Sequence, residues 1–229
     1  MNENIRTYGY GDALPTAERN KVLRNTYWLL ALSLLPTVLG AWFGVATGIT
    51  AALSGGIGLI VFLGGALGFM YAIEKTKNSA AGVPVLLAFT FFMGLMLSRM
   101  IAMVLGFKNG SDLVMTAFGG TAGVFFVMAS LATVIKRDLS GMGKWLTIGA
   151  VVLMVGAVIN VFVASSTGMI VIAMMAIGIF SAFILYDLKR IIDGGETNYI
   201  SATLGLYLSL FNVFQSLLAL LGIFGGERE

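Results

Sequence analysis

The chain has 229 residues, 58% of them hydrophobic and 11% charged, with a mean hydropathy of +0.94 and a net charge of +3 at neutral pH, which excludes a water-soluble globular domain. It holds no cysteine and no histidine. Disulfides, thiolate nucleophiles, cysteine or histidine metal sites, haem ligation by histidine and all histidine-based acid/base chemistry are excluded with them.

Seven apolar windows follow in chain order: Thr26 to Ala46, Ala51 to Ile73, Val83 to Phe107, Leu113 to Ile135, Trp145 to Ala164, Met169 to Tyr186 and Tyr199 to Phe224. A helix rises about 1.5 Å per residue, so roughly 20 residues cross a hydrocarbon core. Only Met169 to Tyr186, at 18 residues, is marginal. Of all the charged residues, Arg99 alone lies inside a window. The windows lack the alternating polarity of barrel strands, so the fold class is all-α: a polytopic membrane protein with seven transmembrane helices. The first run lacks a small-residue cleavage site and is as long as a full span, so it reads as a retained helix and not a signal peptide. Three regions result: a 1–25 N-terminal tail of flexible composition, with Gly9, Gly11 and Pro15, a 26–224 transmembrane domain, and a 225–229 C-terminal tail. No connection is long enough for a separate soluble domain.

Lysine and arginine set the orientation. The tail and the second, fourth and sixth connections hold eleven, among them Arg19, Lys77, Arg137 and Lys189, whereas the other side holds only Lys108 and Arg228. The N-terminus is therefore expected in the cytoplasm and the C-terminus outside, in the periplasm. The positive charges are dispersed topology signals, and no nucleic-acid partner is needed to explain them.

Small residues four apart, Gly40 with Gly44, Gly64 with Gly68 and Gly119 with Gly123, suit close helix packing, within the bundle or in a dimer. Pro36 removes a backbone donor inside the first helix and predicts a bend, while Pro84 falls where a helix start tolerates it.

Polar groups inside the windows are where function would show. Arg99 reads either as an arginine snorkelling to the outer interface or as a charge lining an outward vestibule. In the last window Gly205, Ser209, Asn212 and Ser216 share one helical face, with Gln215 beside it, either as interhelical glue or as a hydrated path. Asn160 is a candidate partner for that face. Asp187 directly follows the sixth window, where exposed carbonyls disfavour a carboxylate. It is expected either to pair with Arg190, three residues on, or to point into the bundle as a proton-responsive gate. Gly194-Gly195-Glu196 is too short for a phosphate loop and reads as a turn, with Asn198 capping the seventh helix. No serine–histidine, zinc or two-aspartate constellation for intramembrane proteolysis is present, so no catalytic residue, metal or cofactor is expected.

The runs KVLRNTYWLL (from Lys21), FSAFILYDLKRII (from Phe180) and GGETNYISATLGLYLSLFNVFQSLL (from Gly194) resemble the Bax inhibitor-1 family of seven-helix membrane proteins, and within it the bacterial YccA branch. The resemblance covers all seven windows. It implies a pH-sensitive calcium leak, in which an aspartate closing the sixth helix pairs with one inside the seventh. The first matches Asp187. The second matches Ser209, within Tyr207-Leu208-Ser209-Leu210-Phe211-Asn212, and an aspartate–hydroxyl pair lacks the coupled titration of two carboxylates. For the YccA branch the resemblance implies instead a non-enzymatic inner-membrane partner and modulator of FtsH, the membrane-anchored AAA protease, with the N-terminal tail as a handle. A bilayer, this protease, and Ca2+ or H+ are thus the expected partners.

Overall fold

The computed structural model describes residues 16–53 and 55–227. They form seven α-helices: α1 (Thr16–Thr47), α2 (Gly55–Thr76), α3 (Gly82–Leu105), α4 (Gly110–Val134), α5 (Met142–Val163), α6 (Ser166–Ile192) and α7 (Tyr199–Gly225), with one 3-10 turn, Ile49–Ala52, between α1 and α2. All seven are long and apolar enough to cross a membrane, and no strand occurs among the described residues. Trp28, Trp42, Trp145, Phe126 and Phe162 are all more than half exposed. Such a surface would aggregate in water but is the proper exterior of a body whose solvent is hydrocarbon.

The sequence boundaries need correction where charges occur near helix ends. Helix α1 starts at Thr16 and takes in residues 16–25, which the sequence places in the tail; Met1 to Pro15, and Arg228 and Glu229 of the C-terminal tail, lie outside the described residues. Helix α6 has 27 residues, not a marginal 18. It runs past Asp187 because Lys189 reaches Asp193 Oδ2 at 2.7 Å, and the chain then turns at Gly194, whose φ of 83° only glycine adopts without strain. Gly195 N–H donates to Arg190 O at 2.8 Å, so Gly194-Gly195-Glu196 is the turn expected. Pro36 sits inside α1 without ending it. The Thr37 hydroxyl donates to Ser33 O at 2.8 Å in that turn.

Helix α7 is the centre, packed on α6, α4, α1 and α3, and α1 lies along α3 in the most extensive helix pair. That seam is possible because of missing side chains. A Cβ on Gly40 would overlap the backbone of Phe91, one on Gly44 the Ser98 hydroxyl, and one on Gly94 the backbone of Thr37. Close backbone approach replaces the hydrophobic drive absent between helices in lipid. The other two glycine pairs behave differently: Gly64, Gly68, Gly119 and Gly123 meet nothing within 4 Å, so they do not pack inside this bundle.

The bundle has two distinct ends. At one, α2 hands over to α3 and α6 to α7, with Lys75, Lys77, Lys189, Arg190 and the start of α1; this is the basic end. Asn198 fastens it. Its Oδ1 accepts from Ile200 N and Ser201 N at 2.9 and 3.1 Å, capping α7 as expected, and its Nδ2 donates to Lys77 O and Asn78 Oδ1 at 3.2 and 2.8 Å. Arg19 of α1 donates to Ile192 O at 3.2 Å. At the opposite end Asn109 Nδ2 donates to Gly225 O at 2.6 Å and Glu227 N to Asn109 Oδ1 at 3.1 Å, which fastens the α3–α4 connection to the end of α7.

Candidate functional site

Three polar features gather on or beside α7, and helical geometry keeps them apart. Residues two positions apart on a helix point about 200° away from one another. Thr203 and Tyr207 therefore face one way, Gly205 and Ser209 the other.

The first face makes the interhelical hydrogen bonds. The buried Tyr207 hydroxyl is 2.9 Å from the Thr37 hydroxyl of α1 and donates to Thr90 O of α3 at 3.4 Å. Thr203 donates to Tyr199 O at 2.7 Å and also lies 3.4 Å from Thr26 O of α1. Sequence reasoning missed this face. Its signal is Thr203 and Tyr207 at a spacing of four, overlooked because tyrosine and threonine are ordinary in apolar runs.

The second face holds the residues singled out from sequence. Gly205 lies against Asp187: a Cβ there would sit 3.1 Å from Asp187 Oδ2. A side chain at position 205 would thus displace the carboxylate, and its absence lets α6 and α7 close over it. Ser209 is one turn along the same face and 3% exposed. The Asp187–Arg190 pair does not form. Arg190 Nη2 reaches Glu196 Oε2 at 3.3 Å instead, because the turn at Gly194 folds Glu196 back beside the last turn of α6. Asp187 makes no hydrogen bond or ion pair among the described residues. Of its two expected dispositions, it takes the one facing α7.

The expected glue is likewise absent from this face. Asn212 Nδ2 donates to Leu208 O of its own helix at 2.8 Å. Ser209, Gln215 and Ser216 make no hydrogen bond to another described helix. Ser216 is buried and Gln215 exposed, so the five residues do not form one continuous lining. Asn160 makes no hydrogen bond to α7. Its Oδ1 occupies the space beside Gly168, where α6 starts against the end of α5.

The third feature is a cleft of about 300 Å³ towards the opposite end, between α2, α3, α5 and α7 under the 3-10 turn. Arg99 and Gln215 line it, and Arg99 Nη1 donates to Leu53 O at 2.9 Å. Thr50 closes one side through its hydroxyl, 2.9 Å from that of Ser98. Phe211 forms the floor and ends a ladder of rings. Phe92 and Phe69 centroids lie 5.6 Å apart, Phe69 and Phe89 5.9 Å, and Phe89 and Tyr207, like Tyr207 and Phe211, 6.0 Å. The ladder crosses α2, α3 and α7 in the interior, and Gly65 leaves the room that the Phe92 ring takes.

No cluster of three or more acidic side chains able to hold a metal ion occurs among the described residues. Outside the helices, Asp138 accepts from Ser140 N at 2.8 Å and from Ser140 Oγ at 2.9 Å. These bonds to its charged form hold its pKa below the usual carboxylate range, the backbone bond most strongly.

Similarity to known proteins extends over almost the whole chain. The family profile "Inhibitor of apoptosis-promoting Bax1" matches residues 19–226. The Modulator of FtsH protease YccA of Escherichia coli K12 is 40% identical over 89% of this chain and 90% of its own length. The Inner membrane protein YccA of Escherichia coli O6:H1 matches to the same extent, and an uncharacterized membrane protein of Vibrio cholerae is 37% identical over 91% of this chain and 92% of its own. Seven apolar helices and these relatives make this a multi-pass protein of the inner membrane, and the chain belongs to the Bax inhibitor-1 family.

Proposed function

We propose that this protein is a non-enzymatic inner-membrane partner that binds and modulates an FtsH-type membrane protease. The observation that carries the reading is the 40% identity, over nearly the whole of both chains, to a relative named for modulating that protease. Two features support it. Asp187 faces a seventh helix that carries Ser209, not a second carboxylate, so a coupled carboxylate pair has no counterpart here. At the basic end the connections between helices are short, and Asn198 fastens the one between α2 and α3 to the start of α7. With that end in the cytoplasm, as the positive charges predict, the sequence before α1, Met1 to Pro15, falls on the side where a cytoplasmic protease domain works. Binding then combines lipid-facing contacts between spans with capture of this segment.

Co-purification of the full chain with the protease from membranes in mild detergent tests the reading. Retention of the protease is expected, with loss on deleting Met1 to Pro15, a cut that leaves α1 whole. Absence of the protease from the full-length preparation overturns it. A second reading, a pH-sensitive cation leak, is favoured by the Asp187 carboxylate set against Gly205, with no cation within 4.0 Å of it among the described residues. It predicts calcium flux into liposomes that varies with pH and is altered by Asp187→Asn. Flux equal to that of empty vesicles rejects it.

A further inference from the structure

The cleft at the end opposite the basic one has the chemistry of an amphiphile site. Its walls are apolar, with Leu59, Phe62, Leu97, Met100, Val161 and Phe211 turned to it, and its floor is tight, since Leu97 is 6% and Phe211 7% exposed. Of its three polar side chains, Thr50 is engaged with Ser98, which leaves two. The exposed Arg99 guanidinium has no carboxylate within 4.0 Å among the described residues, and only one of its donors is used, on Leu53 O. Gln215 is exposed, and its amide makes no hydrogen bond among the described residues. An uncompensated cation and a free amide above an apolar pit match a molecule with an anionic head and a hydrocarbon tail.

Position and access agree with that chemistry. Arg99 is six residues from the end of α3 at Leu105, about 9 Å along the axis, the depth from which an arginine reaches lipid phosphates. The side walls come from α2 and α5. In each, 6% of the most apolar stretch is buried, against 39% in α3 and 44% in α7. Both helices turn most of their surface outward, to the bilayer, so the pit lies directly beside lipid.

We propose that this cleft binds one anionic phospholipid, its phosphate held by Arg99 and Gln215 and part of one acyl chain lying between α2 and α5 over Phe211. The site is independent of the protease and of any ion leak.

Native mass spectrometry of the full chain in an uncharged maltoside detergent, with phosphatidylglycerol or phosphatidylcholine of identical acyl chains added, is the test. One phosphatidylglycerol is expected to be retained in preference to phosphatidylcholine. Arg99→Gln lowers its retention about tenfold, the loss of one charge-assisted contact, and leaves phosphatidylcholine unchanged. Val161→Trp, which fills the cleft from its exposed rim, lowers both; where that variant does not accumulate, Gln215→Leu reads the same contact by its selective effect on phosphatidylglycerol. Lys21→Gln, at the basic end, changes nothing. Equal retention of phosphatidylglycerol by the wild type and Arg99→Gln overturns the proposal, as does its full displacement by millimolar inorganic phosphate, which would make this a phosphate site without a lipid.

Discussion

The α1–α3 seam and the α2–α5 flank are built from similarly apolar sequence but held by opposite means. In the seam, glycines let backbones touch, and the Thr37–Tyr207 and Thr50–Ser98 hydroxyl contacts lie in or beside the junction. On the flank, Gly64 and Gly68 face open space, and α2 and α5 bury little of their surface. An apolar helix alone therefore does not say how firmly it is held in lipid, where burial and exposure differ little in hydrophobic energy. Backbone proximity and hydrogen bonds decide.

The strongest way to break the contrast is Gly94→Val. The new side chain meets the backbone of Thr37, which cannot rotate away, so a loss of at least about 3 kcal/mol is expected. A thermal midpoint in detergent equal to that of the wild type would remove the seam from this account. Asn198→Ala deletes a helix cap and two bonds to the α2–α3 connection, an expected loss of about 2 kcal/mol, read by the same unfolding curve. Tyr207→Phe keeps the ring ladder and removes one hydroxyl, while Thr37 keeps its bond to Ser33 O. About 1 kcal/mol should be lost.

Where no other helix approaches, the sign changes. Gly64→Ala on the flank and Gly119→Ala on α4 add a methyl where nothing lies within 4 Å, and alanine favours helix over glycine by up to about 1 kcal/mol. Midpoints unchanged or slightly raised are expected; a clear drop would reveal that these faces are covered, as in a dimer.

The smallest effect lies outside the membrane. Asp138 has a folded pKa depressed by its bonds to Ser140. Its stabilising contribution is therefore present above the unfolded value of about 3.9 and fades as pH falls through the lower folded value. Ser140→Ala removes the side-chain bond and leaves the backbone one, so a carboxyl NMR titration should show Asp138 moving part of the way back towards the usual range.

Much of this was legible in the sequence, for a plain reason. Crossing hydrocarbon demands long uncharged runs, and the seven windows show them. The turn at Gly194 and the cap at Asn198 were legible too, because their backbone geometry restricts residue choice. What failed depended on partners distant in the chain. Arg190 near Asp187 suggested a local pair, but the turn delivers Glu196 to Arg190 at 3.3 Å. The spacing of Gly40 and Gly44 was indistinguishable from that of Gly64 and Gly68, yet only the first pair meets another helix. Helix α6 looked marginal because a charge was taken as its end, although a helix continues into the polar interface wherever its charges find partners, as Lys189 does with Asp193.

The rings from Phe92 to Phe211 stand between the level of Asp187 and the floor of the opposite cleft, and the one hydroxyl among them, that of Tyr207, is engaged with Thr37. Phe69 is the member carried by α2, the least covered of the three helices that supply rings, so the stack is least restrained on that side.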